Sequence, residues 1–326
     1  MKGWQFSKTG VAPKLIEKDD PKAKPGWVVI EVKAAGLCHS DVGALTDPSW
    51  MSLITAAPCI FGHECAGKII EVGEGVKDFK VGDRVGVCPI NPETGKAIGY
   101  AYDGGYATKC LVPAPSLVPL PDHVSYIEGA AATDAGMTSY HALFTEGQAK
   151  KGMKVGIIGI GGLGQFAAQM AIIAGCDVYA VDTDKDARDL AKEIGCDKVF
   201  DEVMKLKDVQ PDLIVDYAGF GKTTSDAIEC VKLRGTVVIV GMGILSSTIN
   251  TGTMILHQVT VKGSNGGTPA DIAGVYDYFK TGKLTPQLHT IEFDDIDKGL
   301  EQLKAGKVKG RLVAKINAND ENIEIL

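Results

Sequence analysis

The sequence predicts an α/β protein of two domains, a β-rich, barrel-like one followed by a doubly wound parallel sheet. Short β-branched runs separated by turn signals fill the first part of the chain. From about Lys154 the pattern changes to strands alternating with helical stretches, and a glycine-rich turn sits between the first strand and the first helix of that alternation. At 326 residues and 45% hydrophobic content the chain holds enough apolar material for two cores.

Taken in order, Trp27-Val28-Val29-Ile30-Glu31-Val32 and Gly67-Lys68-Ile69-Ile70-Glu71-Val72 read as strands, with Val81-Gly82-Asp83-Arg84-Val85 as a turn signal. Lys154 to Ile158 reads as a buried strand, and a small-residue helix follows from about Leu163 to Ile173. Further strands are expected at Asp177 to Val181, Leu213 to Asp216, Thr236 to Val240 and Val259 to Lys262. Helices are expected between them at Asp186 to Ile194 and Thr223 to Val231. Such alternation argues for parallel pairing, because each crossover needs a helix. After about Asn265 the rhythm is mixed, with a helix near Asp271 to Lys280 and a last strand, Arg311 to Ile316, able to return to the first domain. The expected division is 1–134, completed by 266–326, around a second domain at 135–265.

Thirty-four basic against 41 acidic residues give a net charge of -7, and no Lys/Arg-rich cluster offers a phosphate-tracking surface, so neither nucleic acid nor a membrane is an expected partner. The Met1-Lys2-Gly3-Trp4 start runs into polar residues, and no later apolar run approaches the roughly 20 residues of a membrane span, which points to the cytoplasm. The eight cysteines are scattered, so reduced thiols or metal ligands are expected rather than a disulfide framework.

Gly159-Ile160-Gly161-Gly162-Leu163-Gly164 fits G-x-G-x-x-G directly after a predicted strand. There the glycines allow a tight turn, close approach of a pyrophosphate and close helix packing. The helix N-terminus behind it favours negative phosphates. The next strand ends Val178-Tyr179-Ala180-Val181-Asp182, placing a carboxylate where a ribose diol can donate to it and a 2′-phosphate is repelled. NAD is therefore favoured over NADP. Asp184 is the neighbouring candidate for the same role, and Asp182 has an alternative as a solvated turn residue.

Gly36-Leu37-Cys38-His39-Ser40-Asp41 and Gly62-His63-Glu64 bring a thiol, imidazoles and carboxylates into two short loops, and these are zinc's preferred donors. Taken alone, an isolated Cys or His is more often packed than ligating. With VGEGV at 72–76, GDRV at 82–85 and GIGGLG at 159–164 in the same order, however, the chain resembles the zinc-containing alcohol dehydrogenases of the medium-chain dehydrogenase/reductase superfamily over nearly its whole length. The resemblance implies a GroES-like catalytic domain and a Rossmann NAD-binding domain.

It also implies that Cys38 and His63 bind a catalytic zinc, with Asp41 orienting His63 and Glu64 a near neighbour able to approach or replace the open-site ligand. The third ligand, often cysteine in the family, corresponds to Asp134 in Thr133-Asp134-Ala135-Gly136-Met137-Thr138, as in the secondary-alcohol branch. Asp134 could instead cap the following helix. Cys65 competes with Cys38 as the thiolate but continues into a strand, and reads as a small buried residue. The four-cysteine lobe that holds a second, structural zinc in many members is missing, since Val87 to Tyr106 contains only Cys88. One catalytic and no structural zinc are expected.

By the same correspondence Ser40 relays the alcohol proton, while the histidine that extends this relay in some members is replaced by Gly43. His39 and Arg311 match phosphate-facing positions, Thr138 lies beside the nicotinamide, and Val240-Gly241-Met242 edges its carboxamide. The segment Ala44 to Pro58, with Trp50 and Met51, joins the two zinc loops and lines the substrate pocket or packs as core. The implied activity is hydride transfer between an alcohol and its aldehyde or ketone, with NAD and zinc as cofactors, in a homodimer or homotetramer. Primary, secondary, polyol and hydroxysteroid-like alcohols all fit, Asp134 leaning towards secondary or bulky ones. Two rival readings are a zinc-free medium-chain quinone or enone reductase and a non-catalytic structural or binding protein of the same fold.

Overall fold

The computed structural model describes residues 1–317; the end of the expected first domain, 318–326, lies outside the described residues. The chain divides into two compact units, one of Met1–Asp134, Thr268–Lys280 and the stretch from Leu288 onward, the other of Ala135–Gly267 with Thr281–Gln287. Among the described residues no helix is long and apolar enough to cross a membrane.

In the first unit a seven-stranded sheet runs in the order Leu288–Glu292, Arg311–Lys315, Trp27–Leu37, Cys65–Val72, Arg84–Val87, Leu117–Pro119, with Lys109–Pro113 also paired to Trp27–Leu37. Trp27–Leu37 is longer than its β-branched start suggests. It continues through Ala34-Ala35-Gly36 because small residues are tolerated where both strand faces are buried. One edge of this strand pairs with Lys109–Pro113 over its first half and with the late strand Arg311–Lys315 over its second. Register shifts against Cys65–Val72, between Val29 and Ile30 and between Val32 and Ala34, bend the ladder as bulges do. A smaller sheet of Lys14–Glu17, Lys2–Phe6 and Cys59–Ile60 packs Phe6 on Phe61, ring centroids 4.2 Å apart.

Register brings three strand ends together. Ala35 pairs with Cys65 and Leu37 with Leu312, so the residues just beyond Leu37, just before Cys65 and at the start of Arg311–Lys315 meet at one end of the sheet.

The second unit is a six-stranded parallel sheet in the order Lys198–Phe200, Asp177–Val181, Lys154–Ile158, Leu213–Asp216, Thr236–Ile239, Thr260–Gly263. Numbered along the chain this is 3-2-1-4-5-6, the doubly wound dinucleotide-binding order. The helices Gly164–Ile173, Lys185–Ile194 and Lys222–Cys230 connect its strands. Thr281–Gln287 was expected with the first domain but groups with this unit. Two fully or nearly buried glutamines one turn apart on Gly164–Ile173 explain it. Gln165 donates to the Gln287 carbonyl (3.1 Å) and accepts the Gln287 N–H (2.7 Å), and Gln169 accepts the Thr285 N–H (2.7 Å).

Candidate metal centre and nucleotide loop

Cys38 directly follows the strand Trp27–Leu37 and stands at the N-cap of the helix His39–Thr46. The Asp41 carboxylate closes that helix start by accepting the Cys38 N–H (3.2 Å), which fixes the backbone that carries the thiol. Asp41 is fully buried, and its Oδ2 also accepts a hydrogen bond from the Tyr106 hydroxyl (2.7 Å), while Oδ1 lies 3.3 Å from Nδ1 of His63. One carboxylate thus ties down the cysteine loop and backs the imidazole.

His63 reaches this position through Gly62, whose φ of +98° and whose missing Cβ, 2.5 Å from the Tyr106 ring, both require glycine. With Nδ1 towards Asp41, Nε2 faces the opposite way, 3.5 Å from Asp134 Oδ2 and 3.4 Å from Ser40 Oγ. Asp134 lies within a single π-helical turn, Ala132–Gly136, and not at a helix N-cap, so its carboxylate is not spent on capping. Such turns widen a helix locally and recur at functional sites.

Among the described residues Cys38, His63 and Asp134 form a group whose donor atoms all lie within 4.8 Å of one another. Donors around a tetrahedral zinc are separated by roughly 3.5 Å, so small side-chain adjustments close this set on a metal. Charge points the same way. Burial is the largest influence on His63 and opposes its protonation, yet Asp41, then Tyr100 and Asp134, hold its pKa well above the ordinary 6.5. Burial likewise favours the neutral form of Asp134, and His63 and Arg311 overcome it to keep the carboxyl well below the usual range. The pocket is built to hold positive charge between a thiol, an imidazole and a carboxylate, and one thiolate with one carboxylate neutralises a divalent cation. The residues fit zinc.

Glu64, expected near the metal, is fully buried and stands outside the three-donor group. Its carboxylate is engaged by Arg311, whose Nε donates to Oε2 (2.9 Å) and Oε1 (3.2 Å) and whose Nη2 also contacts Oε2. Burial lifts the Glu64 carboxyl to about 7, and the guanidinium works against it. Arg311, expected to face a phosphate, is 3% exposed, and its Nη2 also donates to Asp134 Oδ2 (2.9 Å). The charge of Glu64 is thereby answered inside the protein. The Glu64–Arg311–Asp134 chain carries no local motif, because it depends on the register that sets Leu312 opposite Leu37.

His39 is exposed on the first turn of its helix. Cys65 is fully buried at the start of its strand, and burial pushes its thiol up to about 12. It takes no part in the three-donor group. Trp50 and Met51 pack against the core of the first unit. The indole of Trp50 fills the space beside Gly43, where a Cβ would stand 2.7 Å from its ring. No histidine relay can pass through that position.

In the second unit Gly159 has φ +87°, and a Cβ on Gly164 would overlap the Gly159 carbonyl, whereas Gly161 faces open space. The first two make the turn; the third leaves its backbone approachable. Leu163 is the N-cap of Gly164–Ile173, which begins one residue after the expected start. Asp182, the residue just past its strand Asp177–Val181, accepts the Ile160 N–H (2.7 Å), while Asp184 is spent as N-cap of Lys185–Ile194, accepting the Ala187 N–H (3.0 Å). Thr138 is buried in the helix Met137–Tyr140. Val240 and Gly241, past the end of Thr236–Ile239, both donate to the Asp216 carbonyl (3.0 Å), and Met242 is half exposed.

Two family models match, an alcohol dehydrogenase GroES-like domain over residues 24–122 and a zinc-binding dehydrogenase over residues 162–281. An alcohol dehydrogenase of Geobacillus stearothermophilus is 34% identical over 94% of this chain and 96% of its own. The chain belongs to the zinc-type alcohol dehydrogenases of the medium-chain dehydrogenase/reductase superfamily. Among solved structures, acetophenone reductase from Geotrichum candidum in complex with NAD matches with a TM-score of 0.87 and 30% identity, covering 98% of each chain. A cobalt- and zinc-bound thermostable alcohol dehydrogenase from Pyrobaculum aerophilum matches at 0.86 and 26%, covering 97% of this chain and 99% of that one. The β-rich unit is thus GroES-like and the parallel-sheet unit Rossmann-like. Neither the zinc-free reductase reading nor the non-catalytic one is favoured.

Proposed function

We propose that this protein is an NAD-dependent, zinc-dependent dehydrogenase that interconverts an alcohol and its aldehyde or ketone. The approach of Cys38 Sγ, His63 and Asp134 donors within 4.8 Å carries the reading. Three protein ligands leave a tetrahedral metal one open position, the pattern of a catalytic rather than a structural site. Bound zinc supplies Lewis-acid polarisation of an alcohol oxygen and eases its deprotonation near neutral pH. NAD, when bound, would be the hydride acceptor.

The chain's own residues do the rest. Asp41 holds the Cys38 backbone and backs His63, fixing which imidazole nitrogen faces the metal. Arg311 keeps Glu64 paired, so that Cys38 and Asp134 alone balance the cation and the fourth position stays open to substrate. Ser40 accepts the alcohol proton and passes it on to cofactor ribose or water. In the Rossmann-like unit Gly159, Gly161, Gly162, Leu163 and Gly164 receive the pyrophosphate, and Asp182 accepts from the adenosine ribose. His39 supports the phosphates, and Thr138 with Val240, Gly241 and Met242 holds the nicotinamide.

We assign residues 1–134 with 266–326 to the catalytic domain and 135–265 to the cofactor domain, with the excursion Thr281–Gln287 packing on the latter. One zinc per subunit, no structural zinc, a homodimer or homotetramer and a cytoplasmic setting, with neither nucleic acid nor membrane as partner, complete the proposal.

The test is metal analysis of protein purified without added zinc, with NADH formation followed over a panel of alcohols. About one zinc per subunit and chelator-sensitive turnover are expected. Cys38→Ser and Asp134→Asn should lose zinc and turnover together while NAD binding survives; full turnover in either variant refutes the ligand assignment.

A further inference from the structure

The connection that runs from Val87 to Tyr106 closes on Gly104-Gly105-Tyr106, and this end of it lies along the loop that carries His63. Gly104, Gly105 and Tyr106 donate their N–H groups to the carbonyls of Ile60 (2.8 Å), Gly62 (2.7 Å) and Phe61 (2.8 Å). The approach is so close that a Cβ on Gly104 would stand 2.3 Å from the Gly62 carbonyl oxygen, and one on Gly105 2.5 Å from the Cβ of Cys65. The Tyr106 carbonyl in turn accepts the Trp4 N–H (2.9 Å). The backbone of Tyr106 is therefore fixed to the histidine loop.

Its side chain serves the other loop. The ring is fully buried and packs over Gly62, and its hydroxyl reaches the strand end and helix start that carry Cys38. There the hydroxyl donates to Asp41 Oδ2 (2.7 Å), with the Gly36 carbonyl 3.1 Å away. A buried carboxylate needs its oxygens satisfied, and Oδ2 takes this phenol together with the more distant Cys38 N–H (3.2 Å). That leaves Oδ1 for Nδ1 of His63, 3.3 Å away. Among the described residues Tyr106 is the only donor to Asp41 from outside the two loops that bear Cys38 and His63.

Building on the proposed zinc site, we infer that Tyr106 is a positioning residue for the metal, one that fixes the thiol and the imidazole relative to each other. Its backbone holds the His63 loop, and its phenol sets the Asp41 carboxylate. Asp41 then aims the imidazole and holds the Cys38 backbone. Partners behind the ligands govern how well a metal is retained, because a ligand that must first be reoriented binds at a cost. Without the hydroxyl, Oδ2 is free to turn and the imidazole loses its fixed backing.

The experiment times zinc release from the loaded protein into an excess of a chromogenic pyridylazo chelator. Wild type, Tyr106→Phe, Asp41→Asn and the double variant are compared, with melting temperatures of the metal-free forms recorded alongside. Phenylalanine keeps the ring over Gly62 and removes only the hydroxyl. Tyr106→Phe should release zinc about tenfold faster than wild type or more. Asp41→Asn should also release faster, and the double variant should match Asp41→Asn within about twofold, because the phenol acts through that carboxylate. Wild-type zinc retention in Tyr106→Phe, even with a lowered melting temperature, overturns the inference, as do effects that multiply in the double variant; both leave the metal reading standing. A wild type that binds no zinc overturns the metal site itself, and this inference with it.

Discussion

A methyl group at Gly36 would overlap the Glu64 carboxyl, although the backbone there is ordinary extended strand. The glycine is needed for space, because Glu64 is buried and its carboxylate is pinned by Arg311. Gly36→Ala should push the carboxylate off the guanidinium and leave two buried charges badly paired, at a cost of about 3 kcal/mol. A urea titration of the metal-free variant measures it, and a midpoint equal to wild type would mean that Glu64 relaxes freely. In the sequence Gly36 is only the first letter of GLCHSD, and nothing in that motif announces the need for space. Cys38, His63 and Asp134 were legible because their residue types and order announce metal chemistry. Arg311 was not, since what it does depends on partners far away in sequence, Glu64 and Asp134.

Five of the six strands of the parallel-sheet unit were legible nearly to the residue, as at Lys154–Ile158 and Asp177–Val181, because hydrophobic runs bounded by glycine and charge leave little choice of period, whereas the short edge strand Lys198–Phe200 and the helix Thr251–His257 carry no such run. What period cannot report is side-chain to backbone bonding across elements. Gln165 and Gln169 look like polar interruptions of an apolar helix, and yet they pair like a strip of sheet with the backbone of Thr285 and Gln287. Gln165→Leu would leave the half-buried Gln287 N–H and carbonyl without their side-chain partner. The expected loss is on the order of 1–2 kcal/mol, about that of two ordinary hydrogen bonds at a site water can partly reach. Hydrogen exchange should show amides of 281–287 opening first; unchanged protection there would mean that the segment is held by packing alone.

Across the whole molecule the acidic surplus is threaded with Lys–Asp pairs, and these contribute to the acid side of its stability. Lys109, then the N-terminal ammonium, hold Asp20 down at about 2, and Lys185 with Lys192 do the same for Asp189. Asp201 is lowered by Lys205. An unfolded aspartate titrates near roughly 3.9, so between these values the unfolded chain binds more protons than the folded one. The contribution of these pairs is therefore complete above about pH 4 and is lost as pH falls towards about 2. The three carboxylates are exposed, so their part must be screened by salt. Urea midpoints should fall over that pH interval at low ionic strength and fall less at roughly 0.5 M NaCl. Zinc is removed beforehand, so that ligand protonation adds no metal loss. An acid slope unaffected by salt would assign the sensitivity to carboxylates with buried partners, such as Asp134, which is held by His63 and Arg311.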